Sequence, residues 1–244
     1  GVVLGFGAEA ARATKQRWAD AASRLERIGC LPLDQAKLGV MAAASALGTG
    51  AYGIAARDPG KGVLTLMRRW VRYACYRGST QACAEAVVWF GGAPVRADPA
   101  VKAMEKAVGF LHDAVARGDI DQGDVLLLHT NAAGPVGPVS AMRAAFRRAK
   151  VTVANGDLTH LALDPLPGAL QQPKERVLSW LQDAQFHEDM QAVQLRRTGW
   201  EGSEHVNRKG LASAVRAAGL SRAEAAALRS VHVGDAIVNA KAQH

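Results

Sequence analysis

Between Lys61 and Arg77 the chain carries five cations, Lys61, Arg68, Arg69, Arg72 and Arg77, and no acidic residue. Arg68 and Arg72 stand four apart, as do Arg69, Tyr73 and Arg77, so on a helix each set projects as a row. A guanidinium offers a planar fork of N–H donors, and neutralising a phosphate releases a counterion. Rows of arginine therefore suit a sugar–phosphate backbone. Tyr73 and Tyr76 would add stacking or sugar contacts. The competing reading is a solvated basic face with Trp70 buried in the core, and spacing alone does not separate the two. Arg143, Arg147, Arg148 and Lys150 form a second cluster, and Arg196, Arg197, Arg208 and Lys209 a third. Repeated clusters in a chain of formal charge +8 point to a polyanionic partner.

Other chemistry is sparse. The seven histidines show no HxH or HExxH spacing. His187, Glu188 and Asp189 are consecutive, so on a helix they do not face one another, and a solvated helix side is expected. Asp119, Asp121 and Asp124 surround Gly123 without the frame or terminal Glu of a calcium loop, which predicts a polar turn. Gly5-x-Gly7-x-x-Ala10 matches a dinucleotide-binding fingerprint, but the acidic residue that should end a second strand falls at Glu26, inside the first amphipathic helix. A nucleotide-dependent enzyme built on Gly5 and Gly7 is thus the weakest reading. No GxSxG or GxxxxGK[ST] occurs, and no active site, metal site or cofactor site is predicted.

The elements that must position these residues read as mainly α. Ala8 to Ile28 places Ala11, Trp18, Ala22, Leu25 and Ile28 on one face, and Gly29 stops the helix. Asp34 is a fitting N-cap for Leu38 to Ala56, an uncharged run of 19 residues. That run is long enough for a membrane span, but its Ala, Gly, Ser and Thr content favours a tightly packed core helix. Arg57-Asp58-Pro59-Gly60 forms a turn, helices follow at Lys61 to Arg77 and from Ser79 to Phe90, and Asp98-Pro99 starts another that runs to Arg117. Glycine and proline then crowd residues 118–138, which sets a boundary between residues 1–118 and 119–244. Beyond it come a basic helix over Val139 to Lys150, irregular or briefly extended stretches at 151–153 and 164–168, and a helix over Lys174 to Arg197. Two shorter helices near 209–218 and 221–241 follow, the last opened by the capping box Ser221 to Glu224.

At 49% hydrophobic and 21% charged the chain is not of disordered composition, and Cys30, Cys75 and Cys83 are too few for a disulfide scaffold. Reduced thiols in an intracellular setting are the default. Gly1-Val-Val-Leu-Gly-Phe-Gly reads as a short strand already under way, which predicts a piece of a longer polypeptide.

The order of these elements resembles the thumb and connector of a non-LTR retrotransposon reverse transcriptase. The resemblance rests on Val3-Leu4-Gly5-Phe6, the basic helix closing in Arg24-Leu25-Glu26-Arg27-Ile28, Leu31-Pro32-Leu33 with Lys37, and Ala51-Tyr52-Gly53. Leu66-Met67-Arg68-Arg69 and Val95-Arg96-Ala97-Asp98-Pro99 are similar to the downstream connector, and Val233-Gly234-Asp235-Ala236 to the segment before a C-terminal zinc knuckle. The family's paired aspartates and its Cys/His motif are absent from the sequence, so no catalytic residue carries over. The resemblance implies a helical thumb-like bundle and a second helical subdomain that hold an RNA–DNA or DNA duplex without regard to sequence. Palm and fingers would lie upstream in the same polypeptide, in a nuclear setting. It implies primer–template contact by Lys15, Arg17 and Arg24, with Lys37 on the next helix. Joined to the clusters above, the expected nucleic-acid-binding set is Lys15, Arg17, Arg24, Lys37, Arg68, Arg69, Arg72, Tyr73, Arg77, Arg147 and Arg148. The alternative is an α-helical protein-interaction or scaffolding module with solvated basic faces.

Overall fold

A computed structural model describes residues 8–54, 57–76, 83–90, 94–125 and 137–196, together with 218, 219 and 224. The expected N-terminal strand, with Gly5 and Gly7, lies outside the described residues, as do Arg77, the Ser79 cap and, apart from residues 218 and 224, the two final helices.

Helix α1 spans Ala8–Gly29 and buries Trp18, Ala21, Leu25 and Ile28 at helical spacing. Its last residue meets a later helix so closely that a Cβ on Gly29 would stand 3.2 Å from the Ala74 Cα. After a short connector, Asp34 caps α2 (Gln35–Met41) by accepting the Lys37 N–H at 2.8 Å. The uncharged run forms no single α-helix. It widens into a π-helical segment at Ala42–Ala46 and closes in α3 (Leu47–Gly50). Leu38, Ala42, Ala46 and Leu47 are buried against α1, and at Gly50 the backbone presses on the Trp18 ring. A Cβ there would fall 2.7 Å from Trp18 Cε3. No described helix is long and apolar enough to cross a membrane.

Asp58 accepts the Gly60 N–H at 2.9 Å, and Gly60 at φ +82° turns the chain into α4 (Lys61–Cys75). Helix α5 (Ala84–Phe90) is buried on all sides over Ala86, Val87, Val88, Trp89 and Phe90. A short 3-10 turn leads to α6 (Pro99–Ala116), with Asp98 as N-cap and proline in the first turn, as its sequence predicts. Helix α7 (Pro138–Arg148) and α8 (Lys174–Gln194) bracket a small sheet that the extended stretches of the sequence only hint at.

That sheet is a three-stranded antiparallel meander: β1 (Thr152–Ala154), β2 (Asp157–His160) and β3 (Leu163–Leu166), in that order. Thr152 pairs Thr159 and Val153 pairs Leu158. The first turn is Asn155-Gly156, both at positive φ (+52° and +87°), which is the turn chemistry that tight hairpins demand.

Among the described residues three apolar clusters form, and α6 serves all of them. Ala100, Ala103 and Ala107 face the first, with α1 to α4. Met104, Val108 and Leu111 face the second, with α7, the sheet and α8. Val101 joins the third, between α5 and α8. A boundary after residue 118 therefore leaves α6 with the first half, although its large side chains fill the core of the second.

The close approach at Gly50 is testable. Gly50→Ala forces the new methyl into a buried indole and should lower unfolding free energy by about 1–3 kcal/mol in urea titrations. Gly48→Ala meets nothing closer than 3.9 Å and should be neutral or gain up to about 1 kcal/mol. Equal effects would contradict the packing described.

Candidate nucleic-acid interface

Helix α4 turns Leu64, Met67, Val71, Ala74 and Cys75 to the core. At about 100° per residue, Lys61, Arg72, Thr65, Arg69, Gly62, Tyr73 and Leu66 then share the remaining outward arc, about 140° wide. Lys61, Thr65, Leu66, Arg69 and Tyr73 are exposed, Arg72 is half-buried, and Trp70 flanks the core. No acidic residue lies on this helix, and Lys61 and Arg69 form no ion pair among the described residues. Tyr76 is buried and cannot stack on a ligand.

Arg68 corrects the expectation. The i, i+4 spacing places it in line with Arg72 but does not say which way the row points. In the fold, Arg68 borders the core arc and turns inward. Its Nε donates to Asp98 Oδ2 at 2.9 Å, Nη1 to Asp189 Oδ1 at 2.9 Å and Nη2 to Asp189 Oδ2 at 2.6 Å. Asp189 also accepts from Trp89 Nε1 at 2.9 Å and Gln185 Nε2 at 3.0 Å. The other Asp98 oxygen accepts the Ala100 and Val101 N–H groups that open α6. Burial opposes a charged guanidinium, but Asp189 and Asp98 overcome it and hold the Arg68 pKa above its ordinary value. Burial also pushes the Asp189 carboxyl upward, aided by the charge of Asp98 and resisted by Arg68. His187-Glu188-Asp189 is accordingly no solvated helix side. Asp189 is 6% exposed, and Glu188 bonds Lys150 Nζ at 2.7 Å and His160 Nε2 at 3.3 Å.

Arg148 is corrected in the same way: its Nη1 donates to Asp58 Oδ1 at 2.7 Å, tying α7 to the turn before α4. Arg147 stays exposed on α7. Of the residues implied by the resemblance, Lys15 is exposed and lies close to four turns before Gly29, on the side of α1 that meets α4. Arg24 leaves the opposite flank and reaches Ser45 Oγ at 3.4 Å. Arg17 is half-buried on that same flank and bonds Thr14 Oγ1. Lys37 pairs with its own cap residue, Asp34, at 3.5 Å. The ten of these eleven positions that are described are thus spread over several sides; Arg69, Arg72 and Tyr73 share the outward arc of α4, with Lys15 on the side of α1 that meets that helix.

Acid–base and metal chemistry find little. His160 Nδ1 accepts the Ala162 N–H at 3.1 Å, so in the neutral ring Nε2 carries the proton toward Glu188. The described residues contain no group of three or more His, Cys, Asp or Glu placed to hold a metal ion. Asp121 accepts the Gly123 N–H at 2.7 Å within the expected polar turn. Glu26 is exposed on α1, with no strand at that position. No family model, curated protein or solved structure matches the chain.

Two measurements follow from this geometry. Arg68→Gln leaves Asp98 and Asp189 buried without their cation and should remove about 3–5 kcal/mol of stability in denaturant unfolding. A loss below about 1 kcal/mol would show the fork to be dispensable. Burial pushes the Cys75 thiol up to about 12, whereas Cys30 is exposed. Mass spectrometry after brief maleimide treatment at neutral pH should therefore find Cys30 labelled and Cys75 labelled only after unfolding.

Proposed function

We propose that the N-terminal helices bind the backbone of a nucleic acid without reading its sequence, in the manner of a polymerase thumb, and take no part in chemistry themselves. The observation that carries this reading is the acid-free outward arc of α4, set in a basic stretch of the chain. Residues 8–76 hold 11 Lys and Arg against 5 Asp and Glu, a balance of +6. Residues 98–196 hold 10 against 12, a balance of −2. Residues 77–97 and 197–244 carry the remaining +1 and +3, so the largest share of the excess surrounds the outward row, as a phosphate-binding surface requires. Contacts of this kind position a strand or duplex and carry no sequence information. The resemblance to a reverse-transcriptase thumb supplies the proposed context, with catalysis belonging to palm residues outside this sequence.

The reading of a protein-interaction module keeps one observation in its favour: Arg68, Arg96, Arg148, Lys150, Lys174 and Arg196 are all engaged by carboxylates within the molecule. Salt dependence separates the two. Binding to a mixed-sequence nucleic acid should be measurable at low salt and fall linearly on a log–log plot. The variant Lys15→Gln/Lys61→Gln/Arg69→Gln should bind more weakly whatever the sequence, with the slope reduced by about 0.9 for each phosphate that is no longer neutralised. An unchanged slope, or no binding at 50 mM salt, would leave the interaction-module reading standing.

A further inference from the structure

We propose that Tyr73 is a stacking platform for an unpaired base, so that the nucleic acid held along α4 is single-stranded where it crosses the C-terminal end of that helix. This rests on the nucleic-acid reading of the same face and adds to it the form of the partner. Tyr73 is 57% exposed at the end of a helix whose neighbouring Ala74, Cys75 and Tyr76 are all buried. Its ring is nonetheless braced. Trp70, one turn earlier, meets it edge-on with centroids 6.0 Å apart and planes at 86°. From α1, the Gly29 backbone comes so near that a methyl group there would lie 3.5 Å from Tyr73 Cε1. An exposed aromatic ring held from two sides loses little freedom when a flat ligand settles on it.

The flanking residues select the ligand. Arg69 lies one turn before Tyr73 on the outward arc, about 6 Å along the axis, and Lys61 two turns before that. Leu66 is exposed next to Tyr73 on the same arc and Arg69 flanks the pair, so an apolar partner helix seated on them would have to take a cation at its margin. A paired duplex offers this arc phosphates, but its bases are stacked inside and give the ring no flat partner. A strand with unpaired bases satisfies both groups at once, phosphates on Arg69 and Lys61 and a base face on Tyr73.

The test is fluorescence anisotropy of the full chain with a labelled mixed-sequence 20-mer, single-stranded and as a blunt duplex, across a salt series. Tyr73→Ala should weaken single-strand binding about five- to hundredfold and leave duplex affinity and the salt slope unchanged, since stacking releases no counterion. Tyr73→Phe should stay within about twofold of the parent, because the π-face is kept. Equal losses on both polymers, a Phe variant as weak as Ala, or an Ala variant as tight as the parent would each overturn the stacking role. A parent chain that binds neither polymer, or a Lys15/Lys61/Arg69 variant with its slope intact, would instead remove the nucleic-acid reading itself.

Discussion

Arg68 must keep its charge where water scarcely reaches it, and the placing of four helices follows from that requirement. A guanidinium needs in-plane acceptors on more than one edge, and no single element supplies them. Asp98 comes from the cap of α6 and Asp189 from the last third of α8, with Trp89 of α5 completing the shell around Asp189. Each carboxylate does a second job. Asp98 satisfies the first amides of α6, and Asp189 gathers the indole and amide donors that would otherwise be buried alone. Removing the cation therefore costs more than one ion pair: it leaves one negative charge more than the site can tolerate.

Much of the helical layout is legible in the residues themselves. Asp34, Asp98-Pro99 and Gly60 punctuate the chain by known turn and cap chemistry, and the apolar spacing of α1 shows which side is inward. Asn155-Gly156 is equally readable as a hairpin turn, but the flanking strands are only three and four residues long and show little alternation, so the sheet is hard to see. The π-helical segment at Ala42–Ala46 leaves no trace in composition. It arises where a stripe of alanines lets the backbone settle close to α1.

The site is harder to read, for a physical reason. Helical periodicity groups Arg68 with Arg72, but both edges of an apolar stripe look alike until the partner helices are known. Asp98 and Asp189 are 91 residues apart in the chain, and neither signals from its neighbours that it will meet the same cation. An arginine four residues after Leu64 and three before Val71, at the edge of the core row, is the one local hint, and it distinguishes Arg68 from Arg69. The same reasoning separates Tyr73, at the outer edge of the helix, from Tyr76, which the final turn carries inward.

The three clusters that share α6 have a bearing on how this polypeptide can change over evolutionary time. Its narrow alanine stripe admits close neighbours on one flank, while Met104, Val108 and Leu111 fill space on another. Neither half is sealed without that helix, so a gene rearrangement severing the chain on either side of it would expose raw apolar surface on both products. The two parts are bound to be inherited together, like rooms that share a supporting wall.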